Sequence, residues 1–173
     1  MEKLTRLDSV LEVRRLAAQK YQPEKIRLLL VAEAPPRAED RYFYFESVDK
    51  QDSLFRYVVR CVLNIEPTRE GKAEYLSALK EMGIFLIDLV QDPLGPKDKL
   101  IDAADLNSLT SRCKTLQPEA IVLVKTTVYD VAFDSLRSVG LPVVDERIPF
   151  PGSGQQLRFV SAFTSALEKI GIR

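Results

Sequence analysis

Continuous apolar runs alternate with amphipathic segments along this chain of 173 residues. Four of these runs lack the period-two pattern of a half-exposed strand, so they indicate strands buried on both faces, as in a parallel sheet. We predict these strands at 26–32, 84–90, 120–124 and 141–144, and an extension of the last one to Ile148 is left open. Apolar residues at helical spacing predict helices at 4–21, 53–65, 69–82, 101–116, 126–139 and 157–170.

The alternation of strands and helices predicts an α/β fold. We expect a three-layer α/β/α sandwich around a central, mostly parallel four-stranded sheet with right-handed crossovers. The sequence contains no internal repeat, low-complexity segment or linker, so residues 1–173 are expected to form a single domain. The helix predicted within residues 1–22 is expected to pack on that domain, and a role for it in binding a partner is left open.

The charge balance restricts the classes of partner. Lysine plus arginine and aspartate plus glutamate both number 25, so the formal net charge is zero. This balance argues against a strongly basic nucleic-acid-binding protein, but it is compatible with a local basic patch. No apolar run approaches the roughly 20 residues of a membrane span, and the N-terminus lacks the apolar core of a signal peptide. We therefore expect a cytoplasmic protein without membrane contact, with a monomer as the default.

The chain contains no histidine and only two cysteines, Cys61 and Cys113. Two thiols cannot complete a four-ligand zinc or iron–sulfur site. The missing imidazole excludes Ser-His-Asp, Cys-His and histidine acid–base catalysis. We predict no metal and no cofactor, so any catalysis must use carboxylates, hydroxyls, amides, lysine or backbone groups.

Distinctive residues accompany the ends of three predicted strands. Glu33 follows the first strand, Asp88 lies in the second, and the turn Pro149 to Gln155 follows the fourth. Because the carboxyl ends of parallel strands meet at one edge of a sheet, these residues are expected to converge where α/β proteins bind ligands. Two simpler interpretations stay open: Asp88 could bond only loop amides, and the turn could be a plain strand-to-helix connection.

A long loop, residues 33–52, separates the first strand from the next helix. Pro35 and Pro36 prevent the chain from continuing in the sheet. Four consecutive aromatic residues, 42–45, lie in the middle of the loop. Such side chains can stack on a nucleobase, and the alternative is that they anchor the loop to the core.

The first of these segments resembles a motif of the uracil-DNA glycosylase-like superfamily. The superfamily motif Gly-Glu-Ala-Pro-Gly reads Ala32-Glu33-Ala34-Pro35-Pro36 here, and the Glu-Asp pair that follows it has a counterpart in Glu39-Asp40. The superfamily's Thr-Asn at a strand end is replaced by Ile87-Asp88, and its His-Pro-Ser by the segment 150–153. In element order the resemblance covers residues 26–170.

The resemblance implies a set of roles for individual residues. Glu33 would activate water, and Ser153 or the backbone amides of 152–154 would stabilise the leaving base. Residues expected to bind the base are Ala34, Pro35, Phe43 or Phe45 as the stacking platform, and Asp88 as the base reader. Residues expected to face DNA or a phosphate are Arg37, Pro151, Gly152, Gly154 and Gln155.

Two departures from the superfamily pattern bear on activity. Phe150 stands where the superfamily has its histidine, and Asp88 stands where it has the base-reading asparagine. An ionised Asp88 would repel an anionic base, whereas a protonated Asp88 could donate a hydrogen bond to a carbonyl. Ionised, it would suit a base edge that offers donors, such as an amino-bearing purine or a cytosine-like edge.

The first functional hypothesis is therefore a DNA base-excision N-glycosylase with altered base choice. The alternative is a catalytically inactive protein of the same fold that binds a nucleobase, a nucleotide or a protein partner. A third hypothesis, an unrelated carboxylate-dependent α/β hydrolase, has no motif in its favour. The distribution of the flanking basic residues would discriminate between DNA binding and its absence; these are Arg37, Arg41, Lys50, Lys97, Lys99, Arg147 and Arg158.

Overall fold

A computed structural model describes residues 5–92 and 101–172 of the chain. The helices and strands in these ranges are α1 Arg6–Lys20, β1 Leu28–Ala32, α2 Ser53–Leu63, α3 Lys72–Glu81, β2 Ile84–Asp88, α4 Ala103–Leu116, β3 Ile121–Leu123, α5 Thr126–Ser138 and α6 Gln156–Lys169. They confirm the predicted α/β class and the order of its helices. None of the described helices is long and apolar enough to cross a membrane.

The three strands form one parallel sheet in the order β2-β1-β3. Every residue of β1 is buried, as the unbroken apolar run predicts. In the register of the sheet, Ala32 pairs with Asp88 of β2, and Val31 pairs with Leu123 of β3. The carboxyl ends of all three strands therefore lie at the same edge of the sheet.

The predicted strand at 141–144 takes a different form from the other three. Only two isolated parallel bridges connect this part of the chain to the neighbourhood of β3, Val143 to Ile121 and Ile148 to Val124. Pro142 has no N–H to donate, and tight turns join Val143 N to Leu141 O and Glu146 N to Val144 O. Because these groups bond within the segment, they cannot extend a ladder, and the sheet of the described residues has three strands.

Hydrogen-bonding side chains determine where two of the helices begin. Thr5 and Asp8 form a capping box at the start of α1, in which each side chain accepts a bond from the backbone of the other residue. The Asp52 carboxylate accepts a hydrogen bond from Phe55 N and begins α2. Asp52 thereby ends the long loop at a point close to the carboxyl edge of the sheet.

The free edge of β2 is protected by a tyrosine from the loop. Leu86 directs its N–H and C=O away from β1, and the buried hydroxyl of Tyr44 bonds both groups at 2.6 Å. An edge strand with unpaired polar groups invites pairing with another chain. Tyr44 thus replaces a neighbouring strand at the centre of β2 and attaches the loop to the sheet.

We expect Tyr44→Phe to lower the free energy of unfolding by about 1–3 kcal/mol, because it leaves the buried N–H and C=O of Leu86 without a partner. Urea unfolding would measure the change. The control is Tyr57→Phe, since the Tyr57 hydroxyl makes no hydrogen bond within the described residues. The control should change stability by less than about 0.5 kcal/mol. Equal losses in the two variants would contradict this role of Tyr44.

Candidate functional site

A cavity of about 370 Å³ lies at the carboxyl edge of the sheet. Its size falls in the range of small-molecule sites. Its walls are formed by the carboxyl end of β2, by residues at or directly after the ends of β1 and β3, by the long loop with the start of α2, and by one residue ahead of α6. The lining comprises Ala32, Glu33, Ala34, Pro35, Pro36, Arg37, Tyr42, Phe43, Asp52, Leu54, Leu86, Asp88, Val124, Lys125 and Phe150.

An ion pair between Glu33 and Lys125 lies in this cavity. Lys125 Nζ is 2.9 Å from Glu33 Oε2, and the side chains are 40% and 17% exposed, respectively. Sheet register explains the pairing, because both residues come two positions after the paired residues Val31 and Leu123. In strands, residues two positions apart point to the same side. Lys125 is not among the site residues predicted from the sequence, although its position directly after the third apolar run was a usable signal.

The backbone of Lys125 has an unusual conformation, with φ 83° and ψ 131°. Residues with a Cβ rarely adopt a positive φ, and strained residues of this kind concentrate at functional sites. The same residue begins α5, where its carbonyl accepts hydrogen bonds from Val128 N at 3.0 Å and Tyr129 N at 3.2 Å. The first turn of α5 therefore holds the backbone of Lys125 in place, and the ammonium group of the same residue contacts Glu33.

Asp88 forms part of the cavity wall and is partly exposed there. Burial raises the pKa of its carboxyl group to about 7, an effect that Arg112 and Arg14 reduce and Asp52 increases. Arg112 donates to the backbone oxygens of Asp88 at 2.7 Å and Leu89 at 2.9 Å. Because the guanidinium bonds carbonyl oxygens, the carboxyl group receives only partial charge compensation and is readily protonated near neutral pH.

The four aromatic residues of the loop divide between the cavity and its surroundings. Phe43 is buried, lines the cavity and packs edge-on against Phe55, with the ring centres 5.2 Å apart. Tyr42 also lines the cavity, and Tyr44 binds β2 as described above. Phe45 lies in a separate groove beside α1, so the cavity receives Phe43 of the two predicted stacking residues.

The turn ahead of α6 contributes one side chain to the cavity. Phe150 lines it and is 41% exposed. Ser153 has a positive φ of 50° and is exposed. The other predicted phosphate-binding residues of the turn, like Ser153, do not line the cavity; they are Pro151, Gly152, Gly154 and Gln155. The turn is closed by hydrogen bonds from Gly152 N to Phe150 O and from Gln155 N to Gly152 O.

The flanking basic residues do not form a common lining. Of those in the described part of the chain, Arg37 alone lines the cavity. Arg147 makes a two-bond ion pair with Asp130, and Arg158 contacts the Gln155 side chain. Lys97 and Lys99 lie outside the described residues. Among the described residues, the cationic side chains that line the cavity are therefore those of Arg37 and Lys125.

Two buried cations hold the loop that carries the cavity wall. Arg14 of α1 is only 3% exposed, and its Nη2 donates to the backbone oxygens of Pro36, Ala38 and Arg41 at 2.8–3.2 Å. Lys72 Nζ donates to Tyr42 O at 2.9 Å, and burial lowers the pKa of this lysine to about 8. These bonds supply the loop carbonyls with partners that no strand provides.

No cluster of three or more metal-ligating side chains occurs among residues 5–92 and 101–172. Both cysteines are buried and form no disulfide, and burial raises the pKa of Cys113 to about 11. Comparison with known protein families, with curated proteins and with solved structures finds no significant match to this chain.

We expect Lys125→Gly to be more stable than Lys125→Ala by about 1 kcal/mol, because both changes remove the ion pair but only glycine relieves the strain at φ 83°. Thermal and urea unfolding would measure the difference. The matched pair is Gln155→Gly and Gln155→Ala, since Gln155 also precedes a helix but has an ordinary φ of −96°. There the alanine variant should be at least as stable. A stability advantage for glycine at both positions would contradict the assignment of strain to Lys125.

The raised pKa of Asp88 predicts a pH dependence of stability. Between the usual carboxyl value of 3.8 and about 7, the folded protein holds a proton that the unfolded chain has released. The free energy of unfolding therefore falls as pH rises through this window. Relative to the parent, Asp88→Asn should gain stability between pH 4 and pH 8, by at most about 4 kcal/mol.

Urea unfolding at a series of pH values would measure this gain, and Asp49→Asn, an exposed loop residue, is the control. A difference between Asp88→Asn and the parent that stays constant with pH would contradict the raised pKa of Asp88.

Proposed function

We propose that the chain is a divergent member of the uracil-DNA glycosylase-like superfamily that hydrolyses the N-glycosidic bond of a DNA base. In this proposal the segment 141–148, which joins the neighbourhood of β3 through two bridges and not through a ladder, takes the place of the fourth strand in a three-layer sandwich. The observation that carries the proposal is the common location of Glu33, Asp88 and Lys125 in one cavity beside Phe43. The short motif at 32–36, which forms much of the cavity wall, supports it further.

Glu33 is the candidate for water activation. One of its carboxylate oxygens contacts Lys125, and this contact orients the side chain at the end of β1. Among the described residues, Lys125 is the one ionic partner of this carboxylate, so the second oxygen is available to a water molecule. A carboxylate held in this way can accept a proton from water as the water attacks the sugar carbon.

Lys125 supplies the positive charge that the missing histidine would otherwise provide. A base that leaves without a proton carries negative charge, which must be stabilised within the site. The resemblance implied that Ser153 or the backbone amides of 152–154 would stabilise the leaving base, but those residues do not line the cavity. The Lys125 ammonium group does line it, and we therefore assign it the stabilisation of the leaving base.

Asp88 and Phe43 would recognise the base. The Phe43 ring forms part of the apolar wall on which a flat base can stack. With a pKa of about 7, Asp88 would donate to a base carbonyl in its protonated form and accept from an amino group in its ionised form. Arg37, the exposed cation of the cavity lining, would contact a phosphate of the flanking strand.

The alternative function is nucleobase or nucleotide binding without catalysis. The ion pair favours it, because one oxygen of the Glu33 carboxylate is already occupied by Lys125. The neutral net charge and the small number of cations at the cavity point in the same direction. Both functions use the same cavity, so an activity measurement separates them.

We expect abasic product from at least one oligonucleotide in a panel that contains uracil, hypoxanthine, xanthine or a mismatched base, in single- and double-stranded form. Glu33→Gln should lower the rate by at least about 100-fold, because the amide cannot accept the proton of water. The matched control is Glu146→Gln, which removes the glutamate of another lysine–glutamate pair, with Nζ and Oε1 2.8 Å apart, that does not line the cavity.

A complete absence of abasic product at high protein concentration would overturn the catalytic proposal. Nucleobase and nucleotide binding, measured by calorimetry with the parent and with Phe43→Ala, would then test the alternative. Equal rates for the parent and Glu33→Gln would show that Glu33 does not activate water.

A further inference from the structure

We infer that Lys125 also acts as a nucleophile, forming an imine with the aldehyde of an abasic site and cleaving the DNA strand by β-elimination. The inference rests on the proposed function only in placing the sugar at this cavity. It concerns a different substrate, DNA that already lacks a base, and it adds a lyase activity to the proposed hydrolase activity.

The location of the Lys125 amine supports its role as a nucleophile. Lys125 is the only lysine among the described residues that lines the cavity at the strand ends. Lys72, which also lies near the loop, is buried and donates to Tyr42 O, so its amine is not available to a substrate. Lys125 is 40% exposed, and its amine can therefore reach a sugar carbon that enters the cavity.

The neighbouring carboxylate of Glu33 provides an acceptor for the proton of that amine. A lysine attacks a carbonyl only as the neutral amine, so its proton needs an acceptor. Glu33 Oε2 is 2.9 Å from Lys125 Nζ, which is hydrogen-bonding distance. A substrate that covers the cavity mouth removes water from the pair. In the covered site the Glu33 carboxylate lies where it can accept the proton that the ammonium group must lose.

The backbone of Lys125 is held in a fixed position. The positive φ of Lys125 departs from the conformations that residues with a Cβ prefer, and its carbonyl is bonded to the first turn of α5. Holding a reacting group in position in this way lowers the entropy loss on reaching the transition state.

The proposed steps balance without an oxidant or a reductant. The neutral Nζ of Lys125 adds to C1′ of the open-chain aldehyde, and water leaves with the proton that Glu33 had accepted, which produces a protonated imine. The Glu33 carboxylate then removes a proton from C2′. The electrons of that C–H bond form a carbon–carbon double bond and expel the 3′ phosphate. Hydrolysis of the imine by water releases Lys125 and the unsaturated sugar end.

The test uses the full chain and an oligonucleotide in which an unrelated enzyme has already produced one abasic site. Sodium cyanoborohydride reduces the imine to a stable amine, so a covalent protein–DNA adduct is expected on a denaturing gel. Peptide mass spectrometry should locate the adduct at Lys125. Without the reductant, we expect strand cleavage that produces the β-elimination end.

Lys125→Arg retains the positive charge beside Glu33 but cannot form the imine, so adduct and cleavage should fall to the level without protein. Lys169→Arg is the matched control, because Lys169 also pairs with a glutamate, Glu146, at 2.8 Å, but lies outside the cavity. It should form adduct at the parental rate. Circular dichroism of both variants would establish that they are folded.

The outcomes separate this inference from the proposed function. Adduct at Lys125 without any base excision would support the lyase and overturn the hydrolase. Base excision without adduct would overturn the lyase and leave Lys125 with its proposed role in stabilising the leaving base. Adduct that persists in Lys125→Arg, or maps to another lysine, would also overturn the inference. If neither base excision nor adduct is observed, both the proposed function and this inference are overturned.

Discussion

The complete burial of β1 is the constraint on which the site depends. A strand buried on both faces must have its backbone polar groups bonded on both edges, and β1 meets this requirement by pairing in parallel with β2 and β3. Parallel pairing brings three carboxyl ends to one edge. Since Pro35 prevents β1 from continuing, Glu33 emerges there, and the register brings Asp88 and Lys125 beside it. The composition of the cavity is thus a consequence of strand pairing.

The loop after β1 depends on side chains for the hydrogen bonds that a ladder would supply. Arg14 and Lys72 donate to its carbonyls, and the hydroxyl of Tyr44 connects it to β2. Such buried cations have a cost: Arg14 Nε and Nη1 have no hydrogen-bond partner. The guanidinium lies over the Tyr42 ring, 5.3 Å from its centre, which offsets part of that cost. Side chains of α1 and α3 consequently hold the loop that forms this wall of the cavity.

The sequence predicted the parts of the fold and site that depend on local pattern. Three unbroken apolar runs were sufficient for β1, β2 and β3, and the parallel arrangement then predicted that Glu33 and Asp88 would approach one another. Lys125 was missed because its contact with Glu33 depends on the register between two strands, which no local pattern contains. The same limitation applies to residues 141–148, where an apolar run forms tight turns because Pro142 interrupts it. Ser153 was placed by its motif alone, and motif position does not determine which way a turn faces.

Two of the carboxyl groups that line the cavity, those of Asp88 and Glu33, differ in how their charge is compensated, and this difference restricts what can occupy the cavity. Asp88 has no cation at its carboxyl oxygens within the described residues, so burial favours its neutral form. Glu33, in contrast, is paired with Lys125 at 2.9 Å. The cations among the described residues that line the cavity are Lys125 and Arg37, and Lys125 already compensates the charge of Glu33. A neutral base edge fits this arrangement better than a phosphate, which would be bound at the cavity mouth, where Arg37 is exposed. This arrangement agrees with the proposed function, in which a base would enter the cavity and the phosphates of its strand would stay outside.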